Sequence, residues 1–287
     1  MPREGWARNS IQGGDTVFDC LRRAGLRGLF AWLLLGATLA PAAHAQERMN
    51  DAVNRAAYLQ MLPERITRSY AMLGQEVNPP RARRQLEADL RAFDTHLAAL
   101  RAMSLNAAQK QALAKVAESW GTFRTAAERV PDAAGAQALA RANLELGRAS
   151  AAVTASLRGS VTDRFDAIGL AGSVRTLSQR MARLYFYATW SQPVPEGTAN
   201  LPALEKEVLA SLEKLEIAPQ NDESTLADLK LAQSQWVFFS RALSRLGTGE
   251  ARMQYMGEVA KSSDAVLEVL DGLTVKYAAS KEQDWAN

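Results

Sequence analysis

The sequence predicts an all-α protein, and three observations carry that expectation. Ala, Leu, Glu, Gln, Lys and Arg fill segment after segment at helical spacing, and these are strong helix formers. β-branched alternation never persists, so no stretch reads as a half-buried strand. Breakers at Asn78-Pro79-Pro80, around Ser104, at Pro131, across Pro193 to Pro202, at Pro219 to Asp222 and at Gly247 to Gly249 cut the chain into segments of about 20 to 30 residues, each roughly 30 to 45 Å of helix.

The N-terminus comes first in order. Arg22, Arg23 and Arg27 precede an apolar run from Leu29 to Leu39, then Pro41 and the small-residue triplet Ala43, His44, Ala45. That pattern is a cleavable secretory signal peptide over residues 1–45, with cleavage near Ala45. The run is shorter than the roughly 20 residues that span a bilayer, and no later segment has a long uncharged apolar run. The expected product is periplasmic and begins near Gln46. The polar stretch before Arg22 is longer than such a signal needs, which points to an initiation site downstream of Met1.

Helices are then expected at 48–76, 80–103, 106–130, 133–158, 160–191, 200–217, 222–246 and 250–279. No proline occurs between Pro131 and Pro193, so the fourth helix is expected to run almost unbroken into the fifth. The chain also resembles itself. An offset of 115 residues lays Ala52, Ala56, Leu62, Arg65, Arg68 and Tyr70 on Ala167, Ala171, Leu177, Arg180, Arg183 and Tyr185. An offset of 116 lays Trp120 and Phe123 on Trp236 and Phe239. Such self-similarity marks tandem copies of one unit, and four amphipathic helices suffice to close a core. The expected architecture is two tandem antiparallel four-helix-bundle units at 46–158 and 159–280, with a tail at 281–287.

Composition narrows the function classes. Cys20, the only cysteine, lies in the presequence, and His96 is the single histidine of the mature chain. Thiol-histidine and Ser-His-Asp catalysis, zinc sites and covalent haem attachment are thereby removed. A di-iron bundle needs two Glu-x-x-His pairs, which are missing, as are glycine-rich phosphate loops. No cofactor, no metal and no enzyme activity are expected. Removing the presequence takes five arginines and three acids from a net charge of +3 and leaves +1, so nucleic acid is not an expected partner. Trp120 and Trp236 sit among apolar neighbours and read as core. Arg81, Arg83 and Arg84 follow Pro79-Pro80 and read as a helix start answered by Glu87 and Asp89. Pro63 is expected to kink the first helix by removing a backbone donor.

One segment carries two apolar stripes. Ala167, Leu170, Val174, Leu177, Met181, Leu184 and Ala188 suit a core, while Phe165, Ile168, Gly172, Arg175, Gln179, Ala182 and Phe186 recur at alternating spacings of three and four. That second spacing belongs to a helix-helix seam. An arginine in an apolar seam is costly unless its charge is met, so something anionic should face Arg175, either a carboxylate or a ligand.

Residues 171–185, Ala-Gly-Ser-Val-Arg-Thr-Leu-Ser-Gln-Arg-Met-Ala-Arg-Leu-Tyr, resemble the signature of the PilJ-type sensory domain. That domain occurs in type IV pilus chemoreceptors and, in related form, in nitrate/nitrite sensor kinases. The resemblance implies a first helix that packs across a dimer interface, with an arginine that binds nitrate. Arg175 matches that arginine, Gly172 and Ser173 match the residues before it, and Ser178, Gln179 and Arg180 match the shared Ser-Gln-Arg. No HAMP-like or kinase segment follows residue 280, so the chain is expected to be the sensing part alone. The first copy has drifted: Ala57 stands for Gly172, Gln60 for Arg175 and Glu64 for Gln179.

Two readings follow. In one, the chain binds a small oxyanion such as nitrate or nitrite through Arg175, Gly172, Ser173 and Gln179. In the other it is a periplasmic scaffold or adaptor that docks a membrane receptor or another protein without a small ligand. Glu64 and Gln60 either complete the site or neutralise it. If the two first helices pack about a pseudo-two-fold axis, Glu64 is expected near Arg175. A homodimer is compatible with both readings.

Overall fold

The structure is a computed structural model and describes residues 48–158, 166–197, 200–245 and 249–279. Residues 1–45, where a signal peptide is expected, Phe165 and the expected tail at 281–287 lie outside the described residues. Eight helices and no strand occur among the described residues, which makes the protein all-α. They are α1 (48–74), α2 (Pro79–Arg101), α3 (Ala107–Ala127), α4 (Ala133–Arg158), α5 (Ala167–Thr189), α6 (Leu201–Glu216), α7 (Glu223–Leu243) and α8 (Gly249–Ala279). None of these helices is long and apolar enough to cross a membrane.

The boundaries follow local chemistry. Pro79-Pro80 opens α2, where a missing N–H costs nothing. Asn106 and Gln109 form a reciprocal capping box on α3, and Asp222 and Thr225 form its counterpart on α7, 116 residues later. The expected continuity of the fourth and fifth helices is not formed. Asp166 leaves helical geometry (φ −90°, ψ 72°) and its carboxylate accepts from Gly169 N at 2.6 Å, so α5 begins on its own N-cap. Helix α1, by contrast, stays helical through Pro63.

The repeat extends to individual hydrogen bonds. Tyr70 donates to the Val130 carbonyl at 2.7 Å, and Tyr185 donates to the Arg245 carbonyl at 2.9 Å, both partners displaced by 115. The C-termini of α1 and α5 close alike: Val77 N donates to Met72 O and Gln192 N to Tyr187 O, each at 2.9 Å. The residue before each donor, Glu76 or Ser191, takes a left-handed φ of 58° or 55°. Trp120 and Trp236 are buried, each 5.6 Å from the phenylalanine three residues on.

The described residues form one compact body with a common hydrophobic core. The two repeats meet through their first helices. A Cβ on Gly172 would lie 2.7 Å from Cβ of Ala57, its own counterpart. Arg68 donates to Gln179 at 2.9 Å, while Arg183 donates to Glu64 at 2.5 Å, and these two contacts exchange under the 115-residue offset. Farther along, Gln75 donates to the Phe186 carbonyl at 2.8 Å. Contacts that advance together along α1 and α5 describe parallel helices about a local two-fold axis. Helix α5 is consequently buried on nearly every face from Ala167 to Tyr187.

Candidate functional site

Three arginines, Arg68, Arg175 and Arg183, are fully buried near this axis. A guanidinium out of water must be paired and hydrogen-bonded, and each is. Arg68 reaches Ser263 Oγ (2.6 Å) and Asp264 (2.8 Å) besides Gln179, and Arg81 shares Asp264 from the surface. Arg183 joins Glu64 and Glu196. Glu64 also accepts from Arg180 at 2.9 Å and from Asn143 at 3.3 Å. Burial alone would raise the Glu64 carboxyl, but Arg183 and Arg180 outweigh it and hold it below the ordinary range.

Glu64 therefore does not meet Arg175, contrary to the expectation. On a two-fold axis parallel to the helices, position 64 falls opposite the arginine four residues beyond its own counterpart, which is Arg183. Arg175 instead turns toward α1 and α8. It donates to Asp271 Oδ1 at 2.7 Å and to Asn54 Oδ1 at 2.8 Å, and its guanidinium carbon lies 4.5 Å above the Tyr58 ring. Tyr58 donates to the same Asp271 oxygen at 3.0 Å. Burial raises the Tyr58 phenol despite the nearby Arg175 charge, so it stays a donor. Arg175 Nε is buried without a hydrogen-bond partner.

His96 stacks on the far face of this cluster, its ring 4.3 Å from that of Tyr58 at 7°. Burial, with Arg55 and Arg175 close by, lowers its pKa to about 4. Asp89 was expected to answer Arg81, Arg83 and Arg84. It is instead buried and bound by Arg65 in a two-point contact, Nε to Oδ2 and Nη2 to Oδ1, while Arg83 and Arg84 are exposed.

A cavity of about 50 Å³ lies beside the axis, lined by Val53, Ala57, Gln60, Thr154, Gly169, Gly172, Ser173 and Thr176. A water needs roughly 10 to 15 Å³ of such space, so the cavity has room for about three to five waters or one four-atom oxyanion. Its polar wall is the Gln60 amide, bonded to the Thr154 hydroxyl, with the hydroxyls of Ser173 and Thr176. Comparing the copies explains why space remains. Across the axis, Asn54 and Tyr58 occupy the counterparts of Gly169 and Ser173, and there they pack on Arg175. Smaller residues leave the second half hollow.

Gly172 joins the two halves. Its Cβ position lies 3.6 Å from Arg175 Nη2 and would collide with Ala57, while the residue also lines the cavity. A side chain there would separate the guanidinium from the cavity. Of the residues singled out in the sequence, Gly172, Ser173 and Gln60 line the cavity, Arg175 stands behind Gly172, and Gln179 and Glu64 belong to the adjacent arginine network. Asn54, Tyr58, Asp271, Thr154 and Gly169 were not foreseen. No family model, curated protein or solved structure matches the chain. The PilJ-type resemblance accordingly rests on residues 171–185 and on the helical pattern. Among the described residues no group of three His, Cys, Asp or Glu side chains is placed to hold a metal.

Proposed function

We propose that the chain is a periplasmic, non-enzymatic binding protein of the PilJ-type sensory kind, its two tandem helical units paired as a dimer would be. Its ligand is a small oxyanion of the nitrate or nitrite class, seated beside the local two-fold axis. The observation that carries this reading is the position of Gly172, between a polar cavity of about 50 Å³ and the buried head of Arg175. The Ser173 hydroxyl and the second N–H of the Gln60 amide meet the oxygens, while the Thr154 hydroxyl, which accepts from Gln60 and donates to Ser150 O, holds that amide in place. The guanidinium favours negative charge across a low-dielectric gap. Readout passes to a separate receptor or partner protein.

One observation favours a structural reading. Asp271 already gives Arg175 a carboxylate, so the pair is a neutral clasp between α5 and α8. The Asp271 side chain is 35% exposed, against 1% for Arg175. The carboxylate of the clasp therefore reaches water while the guanidinium does not. A melting-temperature screen with nitrate, nitrite, chlorate and sulfate against chloride at matched ionic strength separates the readings. Ligand at a hundredfold its dissociation constant adds about 2.7 kcal/mol, and no stabilisation by any of the four overturns the proposal.

A further inference from the structure

The internal repeat provides a control for every surface, because each exposed position has a counterpart in the other copy. On α7, Leu231, Gln235, Phe238 and Ala242, followed by Arg245 just past its end, recur at spacings of four and three, the pattern of a helix-helix seam. Phe238 is 59% exposed and Leu231 47%. With the 116-residue offset, their counterparts on α3 are Thr122 and Lys115, both exposed and both hydrophilic. On α8 the offset becomes 117, which lays buried Leu139 and Val153 on buried Met256 and Leu270. There Ala265 stands where the first copy has the exposed Arg148, tied to Glu145. The second copy thus presents Leu231, Phe238 and Ala265 where the first has hydrophilic residues.

The groove between α7 and α8 has a volume of about 410 Å³ and a charged rim. Arg241, Arg245 and Lys261 border it, with Glu258 as the only carboxylate among the described residues of its lining, already engaged by Arg245 at 3.5 Å. A two-fold contact with a second copy would set this patch against itself, bringing like charges together around Phe238. We infer that the α7–α8 groove is a docking surface for an acidic amphipathic helix of another protein. Apolar residues of that helix at spacings of three and four cover Phe238 and Leu231, and its carboxylates meet Arg241, Arg245 and Lys261. The inference stands apart from the oxyanion site, since no residue is shared.

The test uses the full chain and two synthetic helical peptides with the same leucine seam, one flanked by glutamates and one by lysines. Binding is followed by fluorescence anisotropy at low and high salt. The glutamate peptide binds at least about tenfold more tightly than the lysine peptide, and salt narrows the difference. Phe238→Thr, which installs the residue of the first copy on an exposed position, loses about tenfold or more and melts like the parent. Arg241→Thr weakens the glutamate peptide alone. Equal binding of the two peptides, no binding of either, or binding indifferent to Phe238→Thr overturns the inference. So does concentration-dependent self-association in the ultracentrifuge that Phe238→Thr abolishes, which assigns the groove to a second copy.

Discussion

Replacing Glu64 with glutamine removes one charge and almost no volume, at the point where the two repeats are most tightly joined. Glu64 is 3% exposed and accepts from Arg180 and Arg183. Glu64→Gln leaves Arg183, fully buried, with Glu196 as its remaining carboxylate. Breaking a buried ion pair costs about 3 to 5 kcal/mol, and the retained amide oxygen argues for the lower end. Unfolding entropy near 2.1 cal/mol/K per residue gives about 0.5 kcal/mol/K over the roughly 220 described residues, so about 3 kcal/mol lowers the melting temperature by about 6 °C. Circular dichroism melts at neutral pH measure this directly. The pH dependence adds a second check. The folded-state carboxyl of Glu64 lies below its ordinary value of 4.5. Its stabilisation is therefore fully present above that value and disappears as pH falls through the folded-state pKa. Parent and variant melts must converge in acid. A loss under about 2 °C at neutral pH, or a gap that persists in acid, refutes the assignment of Glu64 as the shared counter-ion.

Three further outcomes follow from the same geometry. Gly172→Ala drives a methyl group into Ala57 and costs about 1 to 3 kcal/mol; Ala57→Gly in the same chain restores most of the melting temperature, whereas additive losses would show that the two positions do not face each other. His96, with its folded-state pKa lowered to about 4, is less protonated folded than unfolded between about 6.5 and 4. Stability in that window falls with pH, and His96→Phe, which keeps the stack on Tyr58, flattens the melt between pH 6.5 and 4.5; an unchanged slope would exclude His96 as its source. Tyr70→Phe and Tyr185→Phe each remove one tyrosine-to-carbonyl bond and lower the melting temperature by similar amounts, about 1 kcal/mol each; a cost confined to one copy would contradict the shared closure.

Much of the architecture was legible because offset positions in the sequence carry the same physical task. Tyr70 and Tyr185 align, and so do the tyrosine-to-carbonyl bonds they make. The seam spacing on α5 also announced that this helix packs on two sides. What the sequence left open is side-chain reach. Arg175 and Glu64 sit on facing seams, but a parallel two-fold arrangement staggers partners by one turn, so Glu64 met Arg183. The counter-ion of Arg175 came from α8, 96 residues away, where Asp271 has no periodic signature. Asp89 likewise turned inward to Arg65, since local spacing around the Arg81 cluster says nothing of α1. Asp166 capped α5 without a proline or a periodicity break to mark it. The cavity had a readable signal: Gly169 and Ser173 are smaller than their counterparts Asn54 and Tyr58, and space in one half of a repeated core follows from that difference.

In the proposed function a small oxyanion occupies the space between Gly172 and Ser173 on one side and Gln60 and Thr154 on the other. Calorimetric titration of nitrate into the chain, repeated on Ser173→Val, tests it most directly. Valine fills the cavity and removes one donor without touching Arg175, Asp271 or Asn54. Saturable one-to-one binding to the parent and a loss of about tenfold to a hundredfold in affinity for Ser173→Val are expected, the effect of one hydrogen bond to a charged ligand. Binding unchanged in Ser173→Val, or appearing only when Asp271→Asn frees Arg175, would contradict it.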